Sequence, residues 1–302
     1  MATKTTGNKR LRAFGDLAVC ILLWAAIPAA AKKMQAELDN YQILFWSTAL
    51  STATLFVLLA LEGKIKVFGH YGPKQYGIMA LLGLLGNYIY YLLLYGALAR
   101  TTASEGFILN YTWPIMVLVL SFFVFKDKVT PMKLVGILIS FFGIIVVSTG
   151  GKLSALSFTS LRGDLLALGG AFVFALFSVF GKKYNFDKTV SVFVYFLAAL
   201  TAVTPTVLLL SHLAWPGAKV WPWLVFNGVF INGISYIFWF RALEHGETYI
   251  LSSLLYLTPF LSLAYTALFL GEKPAPGAVA GIAAIAAGFM AQYIKTEKSG
   301  RR

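Results

Sequence analysis

The chain has 302 residues, 59% hydrophobic and 12% charged, with a net charge of +13 and a mean hydropathy of +0.76. Soluble domains carry about 25% charged residues, so this composition excludes a water-soluble globule and points to an integral membrane protein. Nor does the basic excess indicate a nucleic-acid partner, because the Lys and Arg residues fall in short loops and tails between apolar runs instead of gathering on one solvated face.

A bilayer core of roughly 30 Å takes about 20 helical residues to cross. Ten apolar runs meet that length: 14–34, 41–61, 75–98, 102–125, 131–150, 163–182, 189–211, 221–243, 247–270 and 275–294. They predict an all-α membrane protein of ten transmembrane helices, with both termini on the same side. The first run, with its basic lead and small residues at the end, has the look of a secretory signal peptide. Yet Gly15-Asp16-Leu17, an apolar run and Lys32-Lys33 are echoed internally by Gly163-Asp164-Leu165, an apolar run and Lys182-Lys183, so the first run is expected to be a structural span. With the N-terminus inside, 18 of the 25 Lys and Arg residues lie on the inner side and 7 on the outer. That bias predicts cytoplasmic termini in a cell inner (plasma) membrane. The single cysteine, Cys20, leaves no internal disulfide and no CxxC metal site.

The third and fourth spans carry the most unusual stretch, Gly86 to Pro114: GNYIYYLLLYGALARTTASEGFILNYTWP. A related stretch, Asn232 to Pro259, spans the eighth and ninth: NGISYIFWFRALEHGETYILSSLLYLTP. An offset of 145 pairs Asn87 with Asn232, Tyr91 with Tyr236, Tyr111 with Tyr256 and Pro114 with Pro259. Continued, it pairs Asp127-Lys128 with Glu272-Lys273, Pro131 with Pro276, Gly136-Ile137 with Gly281-Ile282 and Gly143 with Gly288. The chain therefore reads as two repeats, residues 1–150 and 151–302. Five spans per repeat is an odd number, so the second copy enters the membrane inverted. Transporters recurrently use this plan, with two halves around a midplane site that opens on alternate sides.

The acidic-Lys-x-x-Pro-x-x-x-x-Gly turns (DKVTPMKLVG and EKPAPGAVAG) and the prolines of the fourth and ninth spans resemble the drug/metabolite transporter superfamily, EamA type. The matching features extend over nearly the whole chain. Within that group, NYTWP at 110–114 and the tyrosine-rich third span are similar to aromatic amino-acid exporters of the YddG type. The resemblance implies export of amino acids, aromatic or large neutral ones first, by alternating access. The alternative it leaves open is a nucleotide-sugar or drug carrier. A small-molecule substrate and the lipid bilayer are the implied partners, with no protein partner evident.

Proline inside a helix lacks an N–H and displaces the carbonyl four residues earlier. Pro114 and Pro259 are thus expected to kink spans that line the path, or to act as hinges. Candidate substrate-binding residues are Asn87, Tyr90, Tyr91, Asn110, Tyr111, Trp113, Asn232, Tyr236 and Tyr256. A buried amide needs a partner, which a substrate or a neighbouring helix can supply. Mid-span rings can attract an ammonium or simply pack. Asn87, Tyr90, Tyr91 and Leu94 share one helical face. Gly77, Gly83, Gly86, Gly136 and Gly143 suit close helix packing. Trp46, Trp215, Trp221 and Trp223 lie near span ends and read as an interfacial belt. No Asp or Glu is central: Asp16, Glu105, Asp164, Glu244 and Glu247 lie near span ends, which gives proton coupling no support. No HExxH, no mid-membrane carboxylate pair and no nucleophile–base pair appears, and the three histidines fall in loops or at span ends. No enzyme, metal or cofactor is expected.

Overall fold

The structure is a computed structural model that describes residues 2–98, 100–101, 109–126, 131–149, 151–152 and 160–271, and residues 280, 281, 283, 284, 287 and 288 of the tenth span. Glu105, the Asp127-Lys128 and Glu272-Lys273 turns, Pro276 and most of the tenth span lie outside them. The described residues contain no strand. Among them, seven helices are long and apolar enough to cross a membrane: Asn8–Met34, Asn40–Leu61, Pro73–Ala97, Leu161–Tyr184, Lys188–Leu210, Trp221–His245 and Ile250–Leu270. Two shorter apolar helices, Trp113–Phe125 and Leu134–Val146, occupy the expected fourth and fifth spans.

Short loops force sequential helices to alternate direction, and caps mark where they start. Asp39 accepts from the Tyr41 and Gln42 backbone amides at 2.8 and 3.0 Å, while the Gln42 side chain accepts from the Asp39 amide at 3.0 Å. This capping box satisfies amides that would otherwise enter the membrane unpaired. Large apolar side chains such as Phe56, Leu81, Phe123, Leu165 and Leu209 are exposed, as a lipid-facing surface requires.

The helices pack in a pattern that survives exchange of the two halves. The first span lies on the eighth and the sixth on the third; the second lies on the eighth and the seventh on the third. The second also packs on the seventh, and the fourth on the ninth. Small residues make the closest of these approaches. A methyl placed on Gly83 would overlap the Tyr195 backbone, and one on Gly228, 145 residues on, would strike Leu50 and the Ser47 carbonyl. A methyl on Gly288 would overlap Ser140 and the Gly136 carbonyl, which puts Gly288 against the helix of the fifth span.

One polar cluster ties the second–third loop to the start of the seventh span. Lys64 Nζ lies 2.8 Å from Glu62 Oε2, 3.1 Å from Asp187 Oδ2 and 3.2 Å from Thr189 Oγ1. Burial works against the ammonium, but the Glu62 and Asp187 carboxylates outweigh it and hold the Lys64 pKa above its ordinary 10.5. A raised lysine pKa adds stability below the ordinary value, and that contribution is lost as pH rises through the folded-state value. The side chains are partly exposed, so Lys64→Met is expected to lower stability by only about 0.2–1 kcal/mol. Thermal melts of the two proteins should differ at neutral pH and converge as pH rises through the raised folded-state value; a gap unchanged at alkaline pH would show that the ammonium is not its source.

Candidate functional site

The third and eighth spans share an irregularity that periodicity alone does not reveal. Each is α-helical at both ends and π-helical between, over Leu84–Ile89 and Phe226–Ile234. A π turn adds a residue to the ring of each hydrogen bond and re-aims the side chains beyond it; such turns concentrate at functional sites. Asn87 and Asn232 lie within these segments, 1% and 3% exposed. Tyr90 and Tyr91 begin the helix after the first, and Tyr236 comes just after the second.

The fourth and ninth spans are irregular just before Pro114 and Pro259, the two positions expected to kink or to hinge. Asn110 ends a helical turn, Tyr111 and Thr112 form a turn, and a new helix runs Trp113–Phe125 with Pro114 as its second residue. In the ninth, a 3₁₀ turn at Leu255–Leu257 separates Thr248–Leu254 from Thr258–Leu270, where Pro259 is again second. Proline at the start of a helix forfeits no hydrogen bond, because that N–H has no partner inside the helix. The Leu109 carbonyl left at the break is met by the Thr112 hydroxyl at 2.6 Å.

These breaks frame a cavity of about 90 Å³ between the two halves. Space for one water takes about 10–15 Å³ by the same measure, so there is room for several waters or part of a small solute. Six of the nine expected residues line it: Tyr90, Tyr91, Asn110, Tyr111, Trp113 and Tyr236. Asn87, Asn232 and Tyr256 do not. Asn232 accepts from the Tyr91 hydroxyl, one layer behind the wall. Tyr256 is fully buried in a cluster with Leu118, Ile137, Ile144 and Ile250 that also holds Tyr111 of the wall. Its spacing matched Tyr111, but the 3₁₀ turn carries it away from the opening.

The first and sixth spans also contribute, through Trp24, Pro28 and Phe174, and the ninth through Leu255 and Thr258. Trp24 had a readable signal: a tryptophan far from either end of a span does not fit an interfacial belt. Pro28, too, marks a break, since Ala25–Ala26 leave the helix and Ile27–Met34 restarts with proline near its start. Phe174, one of 25 phenylalanines, had none.

The walls are aromatic and uncharged. Phe174 lies 4.7 Å from the Tyr90 ring centre and edge-on to Trp113 at 4.9 Å. Among the described residues no charged side chain lines the cavity. Its most exacting polar group is Asn110, 6% exposed: Nδ2 donates to the Tyr90 hydroxyl at 3.3 Å, while Oδ1 has no hydrogen-bond partner among the described residues. A buried acceptor without a donor is unfavourable by about 1–3 kcal/mol, so a donor-bearing solute here would be favoured.

The two ends of the cavity differ. Toward the third–fourth loop, Tyr95 also lines a second cavity of about 170 Å³ with Asn40, Tyr41 and Arg100. At the opposite end Arg241 pairs with the buried Asp16 at 3.3 Å, and Lys188 with Glu244 at 3.4 Å. Lys182 Nζ donates to Thr248 Oγ1 there at 2.6 Å. Below the cavity Trp239 is fully buried and donates to Ser178 Oγ at 3.3 Å. Among the described residues no three of His, Cys, Asp and Glu gather as a metal-binding group.

Comparison with known proteins identifies the family and the fold. The sequence pattern of the EamA-like transporter family matches residues 13–149 and again 161–293. An uncharacterized transporter of Archaeoglobus fulgidus is 25% identical over 265 residues, covering 85% of this chain and 89% of that one. The aromatic amino acid exporter YddG of Ancylobacter novellus is 25% identical over 194 residues, covering 63% and 66%. A crystal structure at 20% identity superposes with a TM-score of 0.82 over 95% of this chain and 98% of its own, which shows a shared fold.

Proposed function

The chain belongs to the EamA-like transporter family, and from that premise we propose that it exports amino acids, aromatic or large neutral ones first, through the cavity between its halves. Residues 1–150 and 151–302 act as two inverted repeats that expose the cavity alternately. Both termini face the cytoplasm of a cell inner membrane, which puts the Arg100 end outside and the Asp16–Arg241 end inside. The observation that carries the substrate class is, among the described residues, the uncharged aromatic wall around an Asn110 Oδ1 that has no hydrogen-bond partner. Rings attract an ammonium through their faces, and Asn110 Oδ1 accepts one of its N–H groups. The aryl side chain of the substrate then packs on Trp113 and Phe174. A relative named as an aromatic amino acid exporter supports the same reading. A nucleotide sugar is less well served, because its diphosphate calls for cations and the described lining has none.

Tryptophan counterflow into proteoliposomes is the test. Saturable flux indifferent to a pH gradient is expected, since no Asp or Glu lines the cavity among the described residues. Tryptamine should compete about as well as tryptophan, and indole-3-propionate poorly. Asn110→Ala should raise the half-saturating tryptophan concentration about tenfold, the effect of one hydrogen bond to a charged group. If indole-3-propionate competes as well as tryptamine, recognition of the ammonium is wrong. An absence of any amino-acid flux would pass the site to a drug or other metabolite.

A further inference from the structure

Three of four residues related by the 145-residue offset, Tyr91, Asn232 and Tyr236, meet at the boundary between the halves, and the fourth, Asn87, is buried one turn before Tyr91. Asn87, Tyr91, Asn232 and Tyr236 are 1%, 4%, 3% and 2% exposed. The Tyr91 hydroxyl donates to Asn232 Oδ1 at 3.0 Å, and the Tyr236 hydroxyl lies 3.2 Å from the Tyr91 oxygen. A phenol has a single proton to give. With that of Tyr91 committed to Asn232, the proton between the two tyrosines comes from Tyr236. The chain therefore runs Tyr236 to Tyr91 to Asn232.

Its mirror under exchange of halves runs Tyr91 to Tyr236 to Asn87, and that one is not made. Asn87 has the same residue type and the same place in a π-helical segment. Even so, neither Oδ1 nor Nδ2 of its side chain has a hydrogen-bond partner among the described residues. The rings of Phe196 and Phe177, 5.3 and 6.0 Å from that of Tyr236, close this region with apolar surface. Among the described residues one amide oxygen is bonded and its counterpart is not, although the sequence treats the two alike.

We propose that Asn87 and Asn232 are alternate acceptors of this hydrogen-bond chain, and that reversing its direction accompanies the change in which end of the cavity is open. The proposal rests on the alternating-access reading above. In the present state the chain ends on Asn232, and the end proposed as open is the one where Tyr95 joins the cavity wall to the pocket lined by Arg100. In the exchanged state it ends on Asn87, and the cavity leads toward Asp16 and Arg241. Each state satisfies one buried amide and orphans the other, so neither is favoured by this chain, while an intermediate satisfying neither is disfavoured. That is the arrangement of a two-state element. Asn87 and Asn232 are positioning residues and need not touch the substrate.

The test uses full-length protein in proteoliposomes, with Cys20→Ala to remove the native thiol. A single cysteine, Ala31→Cys in the cavity wall or Ala13→Cys at the sealed end, reports opening by its rate of reaction with a polar maleimide. Asn87→Leu removes the acceptor of the exchanged state. It should raise Ala31→Cys labelling and lower Ala13→Cys labelling, each by about threefold or more. Asn232→Leu should do the reverse, and the double variant should return to the parent ratio. Should either leucine variant fail to fold, Tyr236→Phe and Tyr91→Phe make the same pair of opposite shifts by removing the final donor of each chain.

Shifts of both amide variants in the same direction, or none in folded protein, would overturn the proposal. Saturating tryptophan on the parent separates the two ideas. If it moves Ala31→Cys and Ala13→Cys labelling in opposite senses while the amide variants do not, alternating access stands and the amide switch falls. If no condition moves the two sites oppositely, both fall.

Discussion

Trp113→Ala is expected to lower tryptophan transport by at least about tenfold, the largest functional loss of any single replacement in the cavity wall. The indole is 4% exposed and bridges two layers, edge-on to Phe174 at 4.9 Å and to Trp239 at 5.7 Å. It joins the cavity wall to the fully buried Trp239 behind it. Removing it takes away a wall for the substrate ring and opens a void beside Trp239. A buried Trp→Ala change destabilises by about 3–5 kcal/mol, so a melting curve must accompany the flux assay. Trp113→Phe keeps a ring and should keep most of the fold with an intermediate flux. Folded Trp113→Ala protein that transports at the parent rate would remove the fourth span from the path.

The largest stability effect outside the cavity is expected at Gly83. An alanine there normally favours a helix by about 1 kcal/mol. Here its methyl would overlap the Tyr195 carbonyl, Cα and carbonyl carbon, which are backbone atoms and cannot rotate aside. The third and seventh spans must move apart, and overpacking of this kind destabilises by about 1–3 kcal/mol. Gly83→Ala should therefore lower the melting temperature, and Gly228→Ala should do the same against Ser47 and Leu50. Gly77→Ala, where nothing lies within 4 Å, serves as the control and should be neutral or slightly stabilising. Equal melting temperatures for Gly83→Ala and Gly77→Ala would mean that the third and seventh spans have slack at Tyr195.

Much of the architecture was legible because lipid simplifies the code. Every backbone polar group must be paired within its own helix, so a run of about 20 apolar residues has few other fates. The two copies of the Asn-x-x-x-Tyr spacing, Asn87–Tyr91 and Asn232–Tyr236, survived as a pair in space, with the two tyrosine hydroxyls 3.2 Å apart. Less was legible wherever helical geometry departs from 3.6 residues per turn. Asn87, Tyr90, Tyr91 and Leu94 share a face on an ideal helix, but the π turn at Leu84–Ile89 moves Asn87 out of the cavity wall. Tyr256 was misplaced for the same kind of reason, by the 3₁₀ turn at Leu255–Leu257. Pro114 and Pro259 announced irregular backbone, yet a proline does not say whether the helix bends around it or ends before it.

Sequence by itself determined that this is an all-helical membrane protein with an internal repeat, and which short stretches carry its polar and aromatic character. Composition, run length and repeated spacing are properties of the chain alone, and the bilayer converts them directly into helices. Only the tertiary structure decided which side chains face one another. Trp24 and Phe174 became cavity wall because the first and sixth spans pack on the eighth and third. Gly83 found Tyr195, a contact 112 positions distant that nothing local encodes. The hydrogen-bond chain from Tyr236 to Asn232, with Asn87 left aside, is the clearest case: the sequence is symmetric at these four positions, and only packing chooses one direction.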